Sequence, residues 1–252
     1  MPKAHLIDMD GVLVHGRRPI PGAGDFISRL RAAAAPFLLL TNNSRMTPEE
    51  HAARLAGIGI EIGAREIFTS ALATARFLHQ QRAGASVYAI GDTGLFTALD
   101  EFGLRRVEQS PDYVVLGETD SFSFADMTRA VRLVMAGARF IATNPDVNGP
   151  TESGMVPGCG AVAATIAAAT GVKAYFVGKP NPLMMREALD QLGVRAADAV
   201  MVGDRMDTDI VGGTEAGMET ILVLTGVTGK EQVDRFPYCP TRVLTSVADI
   251  VP

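Results

Sequence analysis

Asp8 and Asp10 close an apolar run, Ala4-His5-Leu6-Ile7, and Gly11 follows them. Carboxylates two residues apart at the end of a strand project to one side of the sheet, and a glycine lets the backbone turn away. Two acids held close repel each other unless a cation sits between them or one keeps its proton. The pair suits a metal site in which one carboxylate attacks and the other moves a proton. Taken alone, a solvated turn after a strand explains it as well. Three further groups stand behind apolar runs in the same way. Thr41-Asn42-Asn43-Ser44 follows Phe37-Leu38-Leu39-Leu40, and Gly178-Lys179-Pro180 follows Tyr175-Phe176-Val177. Gly203-Asp204-Arg205-Met206-Asp207-Thr208-Asp209 follows Ala199-Val200-Met201-Val202. Each has a plain reading as a turn, a surface charge, or acids at a helix start. All of them together, at the carboxyl ends of strands where open parallel sheets bind ligands, are hard to attribute to turn chemistry.

The elements that must carry these residues alternate. Strands are predicted at 4–8, 37–41, 86–90, 112–117, 139–143, 174–177, 199–203 and 220–224, with helical patterns between them. That alternation signals βαβ units and a parallel sheet. Thr47-Pro48-Glu49-Glu50 reads as an N-cap, a proline at the first helical position and a capping-box glutamate. Asn181-Pro182 repeats the device, and Gly193 closes that helix. Asp10 and Thr41 are about 30 residues apart, room for one helix and the next strand, whereas Thr41 and Lys179 are roughly 140 apart. A helix, a short strand at Ile67–Thr69 and a helix at 72–81 use part of that interval. The surplus has its own strand–helix alternation and the size of a small domain. The expected fold is α/β: a doubly wound, mostly parallel, Rossmann-like core sheet made of 1–83 and 177–252, with a smaller α/β domain inserted at 84–176. One continuous sheet is the competing arrangement.

The 252 residues carry a net charge of −5, are 47% hydrophobic and 20% charged, and include two cysteines. The acidic balance argues against a nucleic-acid backbone as partner. No apolar stretch reaches the length of a membrane span, and Asp8 and Asp10 interrupt the place where a signal peptide would need its apolar core. Cys159 and Cys239 lack metal-ligand spacing and read as reduced thiols of a cytoplasmic protein.

The set Asp-x-Asp-Gly-Val, Leu-Thr-Asn-Asn, a lone lysine and Gly-Asp-x-x-x-x-Asp strongly resembles the haloacid dehalogenase superfamily of phosphohydrolases, over essentially the whole chain. Within it the chain looks most like the NagD-type subgroup, whose cap lies between the second and third motifs. The resemblance implies a Mg²⁺-dependent phosphomonoesterase acting through an aspartyl-phosphate. Asp8 is then the nucleophile, and Asp10 protonates the leaving oxygen and later activates water. Asp8, Asp204 and the carbonyl of Asp10 would hold the metal. Thr41, Asn42 and Asn43 would bind the phosphoryl group, and Lys179 would cancel its charge and anchor Asp8. Asp209 would orient the metal ligands, and Asp207 would favour the helix start. The implied substrates are small phosphomonoesters such as nucleoside monophosphates, sugar phosphates or aryl phosphates. A second copy of the chain is left open as a partner.

Asn144-Pro145-Asp146 is the candidate cap loop for reaching the site, or an ordinary turn. Pro157-Gly158-Cys159-Gly160 opens an alanine-rich helix and could offer amides to an anion, although helix entry alone accounts for it. His5 and His15 are taken as structural or solvent-facing. A phospho-accepting signalling receiver and a phosphoester-binding module without turnover are the alternatives. The length, the capped layout and the N-terminal position of Asp8 speak against the first. The presence of Asp8, Asp10, Thr41, Lys179 and Asp204 together speaks against the second.

Overall fold

Five consecutive buried residues make up each of the strands Ala4–Asp8, Phe37–Thr41 and Ala199–Gly203. Such continuous apolar runs belong in parallel sheets covered on both faces. The computed structural model, which describes residues 2–151 and 154–252, places them side by side. A six-stranded sheet has the order Arg242–Leu244, Glu219–Val223, Ala199–Gly203, Ala4–Asp8, Phe37–Thr41, Ile67–Thr69. Its first five strands are parallel neighbours. A five-stranded sheet has the order Tyr175–Phe176, Arg139–Ala142, Tyr113–Leu116, Ser86–Ile90, Arg105–Arg106, again parallel. The chain is therefore α/β, with a doubly wound core sheet and a smaller inserted α/β unit, as expected.

Contacts divide the chain into two units. The first is 1–41, 48–68 and 179–252; the second is 42–47 and 69–178. The first unit packs Ile7, Phe26, Leu30, Leu39, Leu55, Val202 and Val223 into one core. The second has its own, around Tyr88, Val114, Leu116, Val134, Phe140 and Ile166. The competing arrangement of one continuous sheet is not what forms.

Helix ends follow the sequence signals closely. Asn181 Oδ1 accepts from the Leu183 N–H at 2.9 Å at the start of Pro182–Leu192, and Gly193 ends that helix with φ 67°. Thr69 caps Ser70–Gln81 through Leu72 N. The short strands Val14–His15, Arg18–Pro19, Arg105–Arg106 and Arg242–Leu244 were not predicted. Two or three residues carry too little periodicity to stand out. The pairing of Asn148–Thr151 with Gly154–Pro157 was missed too; the second of these strands has no buried residue to impose alternation.

Candidate active site

The six-stranded sheet reverses its strand order between Ala4–Asp8 and Ala199–Gly203, and ligands of open α/β sheets bind at such a switch point. Register places the polar residues there. Ile7 pairs with Val202 and Asp8 with Leu40, so Thr41 and Asp204 lie one step beyond the level of Asp8 on the neighbouring strands. Asp8, Asp204 and Asp209 each bring a carboxylate oxygen within 4.8 Å of the others, and all three are buried. Lys179, only 2% exposed, bridges two of them: Nζ donates to Asp8 Oδ1 at 2.6 Å and to Asp209 Oδ1 at 2.7 Å. It also lies 3.4 Å from the carbonyl of Leu40. Asp209 Oδ2 accepts from the N–H of Arg205, so both of its oxygens are held in place.

Asp204 sits in a backbone cradle. Its Oδ2 accepts from Val227 N at 2.6 Å, and a Cβ on either Gly11 or Gly226 would strike its carboxylate. Gly11 also needs its freedom, with φ 85°. The hydroxyl of Thr225 donates to Gly11 O at 2.7 Å and ties the two approaching segments together. Asp204 Oδ1, by contrast, is buried without a hydrogen-bond partner, a situation that costs free energy unless something else satisfies the oxygen.

Charge explains the protonation behaviour. Three carboxylates face one ammonium. Burial pushes the Asp8 carboxyl well above its ordinary range; Lys179 pulls it back, and Asp209 and Asp204 push it further up. Burial, then Asp209, raises Asp204 to about 6. Burial alone would favour neutral Lys179, but Asp209 and Asp8 outweigh it and hold the ammonium charged. An orphaned buried oxygen and an excess of negative charge in an all-oxygen donor set fit a hard divalent cation. The residues present suit such a group.

The remaining expected site residues have the following surroundings. Asp10 has an exposed side chain and stands outside the carboxylate cluster, 3.4 Å from Arg54 Nη2, which also donates to Gly16 O at 2.8 Å. Thr41 is buried at its strand end. Asn42 and Asn43 belong to the second unit. Asn42 Nδ2 donates to Asp146 Oδ2 at 2.8 Å, and Asn43 Oδ1 accepts from the N–H of Arg45 and of Met46 in a local turn. Asn144 Nδ2 donates to the carbonyl of Asn42, and its Oδ1 accepts from Asp146 N. Asp207 pairs with Arg205 at 2.9 Å. The amides of Gly158 and Gly160 are taken by the carbonyls of Val147 and Asp146, so the anion site considered there is already filled by the chain. His5 is buried, with Nδ1 against the Lys3 carbonyl, and His15 is exposed.

The sequence reading missed Thr225, Gly226, Val227 and Arg54. Thr225 and Gly226 had a signal, since they stand just beyond the predicted strand 220–224. Arg54 had none, because its contact with Asp10 joins residues 44 positions apart.

Comparison with known proteins shows the family to which the chain belongs. A family model for haloacid dehalogenase-like hydrolases matches residues 5–105, and a HAD-hydrolase-like model matches 176–250. The chain is 47% identical over 247 residues to a dihydroxyacetone phosphatase of Corynebacterium glutamicum, covering 98% of this chain and 90% of that protein. Its fold is similar to NagD from Escherichia coli K-12, with a TM-score of 0.94 and 39% identity over 99% of this chain and 98% of the other. It is also similar to a glycerol phosphate phosphatase from Mycobacterium tuberculosis solved in complex with magnesium, with a TM-score of 0.92, 35% identity, and 98% and 75% coverage.

Proposed function

Because the chain belongs to the haloacid dehalogenase-like hydrolases and is a phosphatase of the NagD type, we propose that it hydrolyses small phosphomonoesters with Mg²⁺ through a phosphorylated Asp8. The observation that carries this reading is Lys179 bridging Asp8 and Asp209 beside the orphaned Oδ1 of Asp204. Asp8, Asp204 and the carbonyl of Asp10 would hold Mg²⁺. Bound there, the ion offsets the repulsion between a carboxylate nucleophile and a phosphate dianion.

The residues divide the work. Lys179 fixes Asp8 Oδ1, which leaves Oδ2 to attack phosphorus. The new Oδ2–P bond forms as the ester P–O bond breaks, and Asp10 gives its proton to the departing oxygen. Asp10, now ionised, takes a proton from water as that water attacks the phospho-aspartate, so inorganic phosphate leaves and Asp8 returns as a carboxylate. The exposed position of Asp10 suits a group that meets both a leaving group and water. Thr41, Asn42 and Asn43 bind the transferring group, and Asp209 orients Lys179 and the metal ligands. The helix Pro182–Leu192 adds the positive end of its dipole. The second unit has the role of a substrate-selecting cap, with 84–176 as its inserted portion.

Relatives named for dihydroxyacetone and glycerol phosphate make short polyol and sugar phosphates the first substrates to try, ahead of nucleoside monophosphates and aryl phosphates. Among the described residues no helix is long and apolar enough to cross a membrane, and a cytoplasmic enzyme accords with two free cysteines. The test is phosphate release from a panel of these esters with Mg²⁺ and with excess chelator. Turnover should require the metal. Asp10→Asn should slow sugar phosphates by about 10²-fold or more and p-nitrophenyl phosphate far less, since that leaving group needs no proton. Full activity in chelator, or equal losses across the panel, would defeat the metal role or the Asp10 role respectively.

A further inference from the structure

The five-stranded sheet of the second unit also has a switch point, between Ser86–Ile90 and Tyr113–Leu116. In an open α/β sheet that crevice takes a ligand; here it takes residues 42–47 of the same chain. Gly94 N, at the start of helix Thr93–Glu101, donates to the carbonyl of Arg45 at 2.8 Å. A Cβ on Gly94 would strike the carbonyls of Met46 and Ser44. Arg45 reaches Asp92 at 3.0 Å and Asp120 at 2.5 Å.

A second hold is reciprocal. Glu118 Oε2 accepts from the backbone N–H of Ser44 at 3.2 Å, and Ser44 Oγ accepts from the backbone N–H of Glu118 at 2.9 Å. Thr143 Oγ1 donates to the same Ser44 hydroxyl at 3.1 Å. Two residues earlier, the carbonyl of Asn42 accepts from Ser70 Oγ and Asn144 Nδ2. We propose that Glu118 is a positioning residue for the phosphoryl-binding segment: by fastening Ser44 to the end of strand Tyr113–Leu116, it fixes where Asn42 presents its amide. This rests on the phosphatase reading above.

Chemistry makes the hold sensitive to protonation. Burial chiefly, with Asp146 adding to it, pushes the Glu118 carboxyl up to about 7 against the Ser44 N–H, Asn144 and Arg45, which pull it down. The Cys159 thiol faces it as well, itself pushed up by burial and kept neutral. A carboxylate is a stronger acceptor for the Ser44 N–H than the neutral acid. The fastening is therefore firm above pH 7 and looser below it.

The experiment compares wild type, Glu118→Gln and Glu118→Ala on p-nitrophenyl phosphate at saturating Mg²⁺ from pH 5.5 to 8.5. Dividing the wild-type kcat/KM by that of Glu118→Gln cancels substrate ionisation and the metal site. That ratio should rise through pH 7, by about two- to ten-fold, the range one hydrogen bond carries. Glu118→Ala should lose more than Glu118→Gln at pH 8, with the loss shown mainly in KM. A pH-independent ratio on an active wild type would overturn this proposal alone. No phosphate release from the wild type would overturn the phosphatase reading and this proposal with it. Glu118→Gln keeps the shape of the side chain, so it remains decisive if Glu118→Ala fails to fold.

Discussion

Two buried polar clusters in this molecule follow opposite designs. In the first unit, Asp8, Asp204 and Asp209 crowd around one lysine and leave an oxygen of Asp204 without a donor. In the second, Asn42, Ser44, Glu118, Thr143, Asn144 and Asp146 satisfy one another by matched donors and acceptors. Burying polar groups is tolerable when they are paired and costly when they are not. The incomplete cluster is thus the one built to receive charge from outside, and the complete one holds a loop in place. Incompleteness, rather than polarity, marks the chemical centre.

The comparison breaks most easily at Asp8. Asp8→Asn should cut turnover by at least about a thousand-fold, while the protein stays folded because Lys179 keeps Asp209. Trapping with beryllium fluoride should label Asp8 in the wild type and nothing in the variant; an adduct on another residue would remove Asp8 from its role. Next comes Lys179→Met, which strips the buried ammonium from between Asp8 and Asp209. It should cost about 3–5 kcal/mol in denaturant unfolding without Mg²⁺, with much of that recovered when Mg²⁺ is added. No change in stability would mean that the cluster is not held by charge.

A smaller effect concerns pH in the metal-free protein. Asp204, raised to about 6, binds its proton more tightly folded than unfolded. Its contribution to stability is therefore present at low pH and lost as pH rises through about 6, on the order of 2 kcal/mol between pH 4 and 7. Mg²⁺ should reverse that trend, because it binds the ionised form. A metal-free protein that gains stability on going from pH 5 to 7 would contradict the crowding of negative charge. Smallest is the complete cluster: Thr143→Val removes one hydrogen bond to Ser44 and should cost about 1 kcal/mol, with activity nearly kept. A loss as large as that of Lys179→Met would erase the contrast.

How much of this was legible depended on how far each signal travels along the chain. Strands Ala4–Asp8, Phe37–Thr41, Ser86–Ile90 and Ala199–Gly203 were predicted to the residue, because buried parallel strands write an apolar run that ends abruptly in polar residues. The cap at Asn181 and the stop at Gly193 are equally local. The gathering of Asp8, Lys179, Asp204 and Asp209 was readable only as strand ends and a family pattern, since nothing local says which ends are neighbours. Val227 stayed hidden because its role is played by a backbone N–H, which any residue possesses. Glu118 stayed hidden because it looks like an ordinary polar residue after a strand. What distinguishes it is a partner at Ser44, far away in sequence. The placing of 42–47 with the second unit has the same cause: six residues carry no periodicity, and their allegiance is set by hydrogen bonds to Asn144, Glu118 and Gly94.

The strand order has one more consequence. On one side of the seam between Ala4–Asp8 and Ala199–Gly203 every strand of the core sheet comes from before residue 70; on the other, every strand comes from after residue 198. A polypeptide cut at 178/179 separates the reacting groups too, with Asp8 and Asp10 in one fragment and Lys179, Asp204 and Asp209 in the other. Each fragment would hold three strands of the sheet and only part of the charge cluster. Neither could turn over alone, and activity would return only on reassembly along that edge. The chain thus carries a natural division for a split reporter whose signal is phosphate release.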